Sequence, residues 1–197
     1  MSRVNSMSGE IAKRLEQSIL IKQAVAKSKI HEIEDMAKLI IAAYRAGGKV
    51  VLFGNGGSAA DAQHIACELV GRFALERRAF PAIALTTNTS TLTAVANDYG
   101  YNAVFSRQVE ALVNEKDVVI GISTSGDSSN VVEAIETAKA KGATTIGLVG
   151  GDGGKLAEVA DLVLIVPSDS TPRIQEVHIT IGHIICELVE RELTNTA

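Results

Sequence analysis

The sequence predicts an α/β fold: a doubly wound, five-stranded parallel sheet in a three-layer αβα arrangement, with two N-terminal helices ahead of it. Three observations carry that expectation. From Lys49 onward, short apolar runs rich in valine and isoleucine alternate with helix-length amphipathic stretches, as strands joined by crossover helices do. The runs are apolar throughout, as strands covered on both faces must be. Glycine- and hydroxyl-rich loops follow the first and third runs, at the sheet edge where such folds bind ligands.

The 197 residues suit one domain with a sizeable core. Within it, residues 1–46 form a helical pair and 47–197 the α/β core. Hydrophobic residues make up 46% and charged ones 21%, ordinary for a soluble globular protein. A formal charge of −4 and 4% aromatics exclude the basic, ring-bearing surface that nucleic acid wants. An anionic small molecule stays compatible, because loops and helix ends bind phosphate without net positive charge. Cys67 and Cys186 fall in predicted helices and make no C-x-x-C pair, so they read as reduced core thiols. The N-terminal stretch has no apolar signal core, and no run is long enough to span a bilayer. A cytoplasmic protein with no membrane partner is expected.

In chain order, Ser8 is the expected N-cap of a first helix reaching about Ala26, with Ile11, Leu15, Ile19, Ile21 and Val25 at near-helical spacing. A second helix over Ile30–Arg45 ends at Gly47-Gly48. Five strands do not need both helices, so their surplus apolar face suggests either a subunit contact or local packing on the sheet. Val50–Phe53 opens the sheet, and the later strands read as Ala82–Thr86, Asp117–Ile122, Thr144–Val149 and Leu162–Val166. Helices are expected near Ala59–Phe73, Thr89–Ala96, Phe105–Val113, Asn130–Lys141, Lys155–Val159 and Arg173–Glu192.

The first loop, Gly54-Asn55-Gly56-Gly57-Ser58, can turn sharply and aim backbone N–H groups at an anion beside a helix N-terminus. On the helix after it, His64 and Glu68 are four apart and share a face. That pair can hold a metal or share acid–base work. The loop also satisfies the dinucleotide pattern G-x-G-x-x-A. No acidic residue ends the next strand, and Glu76 precedes it, so a nicotinamide site is only a runner-up. Ser123-Thr124-Ser125-Gly126-Asp127-Ser128-Ser129 places four serines and one threonine around the next loop and helix start, more than helix capping explains, and reads as a phosphate cradle. Asn97-Asp98-Tyr99-Gly100-Tyr101 is either a plain turn or a turn whose Asp98 meets a sugar hydroxyl. Gly150–Gly154 reads as a mobile turn. On the last helix, Gln175 and His183 lie about 80° and about 12 Å apart and reach one ion only by leaning together. His178 faces elsewhere and reads as a core histidine.

Together GNGGSAADAQHIACE, ANDYGY, FSRQVEAL, ISTSGDSSN and RIQEVHITIGHI resemble the sugar-isomerase (SIS) fold and, within it, the phosphoheptose isomerase family. The resemblance runs from about Gly47 to Glu190. It implies a homotetramer with active sites near subunit contacts. It also implies conversion of sedoheptulose 7-phosphate to D-glycero-D-manno-heptose 7-phosphate for lipopolysaccharide heptose. Carried over by position, it assigns sugar contacts to Asn55, Gly56, Gly57, Asn97 and Asp98. Phosphate contacts fall to Ser123, Thr124, Ser125 and Ser128, with Ser58 nearby. Glu68 and His183 take the acid–base roles. His64, Glu68, Gln175 and His183 are the implied zinc ligands, one partly occupied ion per subunit. The rival within the fold is a non-catalytic protein that binds a replication initiator or another protein, which would not need Glu68 and His183 together.

Overall fold

In the computed structural model, which describes residues 6–194, the first strand pairs on both sides. Val50–Gly54 (β1) lies between Ala82–Ala84 (β2) and Val118–Ser123 (β3), and Thr144–Gly150 (β4) and Leu162–Val166 (β5) follow. All pairings are parallel, in the order β2-β1-β3-β4-β5. The strand order therefore reverses beside β1. The crevice at the carboxyl ends of β1 and β3 is the topological switch point, the favoured ligand position in such sheets. The five-stranded doubly wound expectation holds.

Alternation along each strand divides the core. Val50 and Leu52 face one layer, with Met7–Ser28 (α1), Ile30–Arg45 (α2), Gly57–Val70 (α3) and Thr171–Thr194 (α8). Val51 and Phe53 face the other, with Thr89–Tyr99 (α4), Ala103–Leu112 (α5), Ser129–Ala140 (α6) and Gly154–Val159 (α7). Period two along a strand produces this split. Phe53 stacks on Phe105 at 5.2 Å between ring centroids.

The N-terminal helices differ from the expected pair. α2 buries Ile33, Met36, Ala37, Ile40, Ile41, Ala43 and Tyr44, and covers the sheet as an integral layer. Burying residues such as Met36 and Ile40 contributes about 1.5–3 kcal/mol each. On α1 only Val25 is buried, while Ile11, Leu15 and Ile19 stand 55%, 62% and 56% exposed. The surplus apolar face therefore belongs to α1 alone. Ser6, not Ser8, caps α1: its hydroxyl accepts from the Gly9 N–H at 3.1 Å. Residues 1–5 of the expected 1–46 unit and 195–197 of 47–197 lie outside the described residues.

Other boundaries shift for local reasons. α3 stops at Val70, with Gly71 as its cap rather than an interior weak point. The chain beyond it is held by the carboxylate of Glu190, which accepts from the N–H groups of Phe73, Ala74 and Leu75 and from Arg77 Nε at 2.7–2.9 Å. Asp117 is not in β3. Its buried carboxylate accepts from Lys49 N, Lys49 Nζ and Asn114 N, and so ties the starts of β1 and β3 together. β2 ends at Ala84, where the Thr87 hydroxyl donates to the Ala84 carbonyl in a turn. Asn97 and Asp98 belong to the last turn of α4, which Gly100 closes. Cys67 is exposed, not core; Cys186 is buried, as expected.

Burial pushes the Glu190 carboxyl up, but its three backbone donors and Arg77 outweigh that and hold it below the ordinary value of 4.5. A lowered folded-state pKa means that the unfolded chain takes up the proton first as pH falls. The stabilisation is full above 4.5 and drains as pH drops through the lower folded value. Glu190→Gln leaves a buried guanidinium without its counter-charge and should cost about 3–5 kcal/mol at neutral pH in urea titrations. The gap from wild type should narrow below pH 4.5. An unchanged urea midpoint at neutral pH would refute the role.

Candidate active site

Two helices build the chemistry. His64 and Glu68 stand one turn apart on α3, and His183 comes across from α8. His64 Nε2 lies 3.1 Å from Glu68 Oε1 and 3.3 Å from His183 Nε2, with the two rings edge to face. The helices meet this closely because small residues line the crossing. A Cβ at Gly182 would stand 2.7 Å from Ile65 Cδ1, and one at Gly57 only 2.5 Å from Gln175 Nε2. At that range a side chain at either glycine would push Ile65 or Gln175 out of its present place.

The three ligand atoms of His64, Glu68 and His183 lie within 4.8 Å of one another. Bonds of about 2.0–2.1 Å in a tetrahedral site imply ligand–ligand edges near 3.3 Å. The 3.1 and 3.3 Å separations match such edges, so this donor set fits a divalent cation. Gln175, the expected fourth ligand, rests against Gly57 at the start of α3, on the side of the sugar loop.

The hydroxyl loop turns at the end of β3. Ser123 Oγ accepts from the Gly126 N–H at 3.1 Å and donates to Ser128 Oγ at 3.1 Å, while Ser125 Oγ accepts from the Asp127 N–H. Ser128 therefore does not cap α6 with its side chain. The helix presents its first N–H groups and positive end to the loop. Thr124 and Ser125 line a polar cleft of about 330 Å³ with Gly150, Asp169 and Thr171. The start of α7, just past the Gly150–Gly154 turn, has a structural role that the sequence did not suggest: the Lys155 N–H donates to Asp127 and the Leu156 N–H to the Gly126 carbonyl, bracing the loop.

Asn55 joins the two loops. Its amide exchanges hydrogen bonds with Asn130 at the start of α6, and Tyr101 donates to its Oδ1 at 3.3 Å. Tyr101 thus brings the segment bearing Asn97 and Asp98 to the same edge; there Asn97 Nδ2 donates to Asp98 at 2.8 Å. Ser58 is buried at the N-terminus of α3. Asn130 and Tyr101 stood within stretches already singled out in the sequence, but nothing there gave either of them a role.

Three titratable groups near the site are shifted by burial. Burial pushes His178 down to about 4, and its ring bonds the Val149 carbonyl at 3.1 Å. It is a neutral core residue with no place in proton transfer. Burial raises the Asp61 carboxyl, against the pull of His64. Burial also pushes the Cys186 thiol up to about 12, so it stays protonated.

Known proteins share the family and the fold. The SIS domain family model matches residues 15–150. The phosphoheptose isomerase of Geobacter sp. (strain M21) is 64% identical over 161 residues, 82% of this chain and 84% of the relative. That of Sulfurimonas denitrificans is 56% identical over 185 residues, 93% of this chain and 95% of the relative. The solved phosphoheptose isomerase from Neisseria gonorrhoeae, at 42% identity, superposes with a TM-score of 0.90 over 94% of this chain and 100% of its own. With the fold, the switch-point loops and this degree of identity in agreement, the chain belongs to the phosphoheptose isomerase family of SIS-domain proteins.

Proposed function

We propose that the chain is an aldose–ketose isomerase. It converts sedoheptulose 7-phosphate to D-glycero-D-manno-heptose 7-phosphate through an enediol, the opening step toward ADP-heptose. The observation that carries this reading is the meeting of Glu68 with His183, through His64, at a helix crossing beside two anion-suited loops. The names of relatives at 56% and 64% identity support the same reaction.

The roles follow from the side chains. Glu68 takes the proton from C1 of the ketose and returns one to C2, as a carboxylate can. His183 moves a proton from the C1 hydroxyl to the C2 oxygen, so that the carbonyl migrates from C2 to C1. Ser123, Thr124, Ser125 and Ser128 hold the phosphate. Asn55, Gly56, Gly57, Asn97 and Asp98 contact the sugar, with Ser58 and Gln175 beside them. His64, Glu68 and His183, with the Gln175 amide oxygen, would hold one zinc per subunit at partial occupancy. When bound, zinc supplies Lewis-acid polarisation of the carbonyl.

The non-catalytic rival is disfavoured: it gives no reason for the convergence of Glu68 and His183. The nicotinamide runner-up lacks its acidic residue after β2, where Thr86 and Thr87 stand. The proposed assembly is a homotetramer whose contacts use α1, in keeping with that helix's exposed Ile11, Leu15 and Ile19. An apolar groove of about 460 Å³ beside it, lined by Val25, Ile33, Ile181 and Ile184, supports the same face. The proposed setting is the cytoplasm, which suits two unpaired thiols; among the described residues no helix is long and apolar enough to cross a membrane.

Glu68→Gln and His183→Gln should each keep the fold and lose about 10²–10⁴-fold in kcat, followed by NMR of the heptose product. Near-wild-type turnover in either variant removes that residue from the mechanism. Chelation should lower activity or thermal stability, and zinc should restore it in wild type but not in His64→Ala. Metal-free protein with full activity would exclude the ion. Replacing Ile11, Leu15 and Ile19 by glutamate should yield folded species smaller than a tetramer in light scattering. A tetramer that survives all three changes would clear α1 of the role.

A further inference from the structure

Asn130 is the second residue of α6 and only 4% exposed. A phosphate cradle needs no buried amide there. Its side chain reaches across to a loop 75 residues earlier: Asn55 Nδ2 donates to Asn130 Oδ1 at 2.9 Å, and Asn130 Nδ2 donates to Asn55 Oδ1 at 2.9 Å. The Tyr101 hydroxyl donates to Asn55 Oδ1 at 3.3 Å. A primary amide has two N–H donors and two acceptor lone pairs. The partners of Asn55 therefore occupy both lone pairs and one donor, and one N–H is left, fixed in direction.

We propose that Asn130 is a positioning residue: its amide holds Asn55 with a single N–H turned toward a sugar oxygen and ties the sugar loop to the phosphate loop. This rests on the assignment of Asn55 to the substrate made above. An Asn55 that only donates suits a carbonyl or hydroxyl oxygen and has no acceptor left for a second sugar hydroxyl. Asn55 lies in the loop after β1 and Asn130 in the first turn of α6, just past the loop after β3, and β1 and β3 pair directly, so the amide pair sets the span between bound phosphate and reacting carbons. A buried amide whose partner is lost keeps an unmet donor and acceptor. The pairing is thereby confined to one arrangement.

Asn130→Leu keeps the side-chain shape and removes both bonds. With sedoheptulose 7-phosphate its kcat should fall about 10- to 100-fold, as misplacement of a reacting group does. Its thermal midpoint should fall by only a few degrees, because Asn55 is half-exposed and can turn to water, and its inhibition by inorganic phosphate should stay near wild type. Unchanged kcat, or a loss of phosphate inhibition as large as the loss of kcat, would overturn the proposal. A second measurement needs neither variant nor turnover. In the wild-type protein, hydrogen exchange of the Asn55 side-chain amide, resolved by NMR, should show one slow and one fast proton. Two equally fast protons would overturn the pairing even if the variant failed to fold. Absence of any turnover by wild type would instead count against the isomerase reading, with the exchange result still deciding the pairing.

Discussion

The buried pair of Arg77 and Glu190 is the interaction on which the site depends. Both side chains are almost wholly enclosed. Glu190, on α8, collects the N–H groups of the segment that leaves α3. Arg77 donates back to the carbonyls of Glu68, Leu69 and Gly71 and stacks over Phe80. The last carbonyls of a helix usually look for water or a cap; here a guanidinium takes them. The outcome is a clamp between the C-terminal end of α3 and α8. Glu68 belongs to it through its own backbone carbonyl, so the turn that carries the carboxylate proposed to react is fixed relative to the helix that carries His183. A buried ion pair adds little net stability compared with apolar packing. Its value here is geometric.

The same economy governs the other edge of the site. Parallel pairing of β1 with β3 places the glycine loop and the hydroxyl loop side by side at the switch point. Asn55 and Asn130 then join them through side chains rather than backbone. Rigid strands, a clamped helix crossing and an amide bridge leave little freedom in the spacing between the hydroxyl loop and the His64, Glu68 and His183 cluster. A proton transfer between neighbouring carbons of a phosphorylated sugar needs that preorganisation.

Much of this was legible in the sequence, for local reasons. Strand runs, the α2 span and the His64–Glu68 spacing depend on residues close in the chain, where period and spacing carry the signal. The hydroxyls of the 123–129 loop suggested a phosphate cradle by themselves, and the resemblance supplied the acid–base role expected of His183. What stayed hidden involves partners far apart. Arg77 and Glu190 are separated by 113 residues, and Asn55 and Asn130 by 75. Before folding, each is an ordinary polar residue in an ordinary context. Amphipathic patterns also could not tell α2, which covers the sheet, from α1, which does not, since both carry apolar stripes. Cys67 looked apolar enough for the core but lies off the face that α3 turns to α8.

The central claim is that Glu68 exchanges a proton between two sugar carbons at a site open enough for solvent to reach the carboxylate, whose side chain is 23% exposed. The most direct measurement is turnover of sedoheptulose 7-phosphate in deuterium oxide, with the product analysed by NMR. The enediol route predicts deuterium at C2 of the heptose. Product formed at full rate with only the original hydrogen at C2 would contradict the account, since the hydrogen would then have moved directly from carbon to carbon.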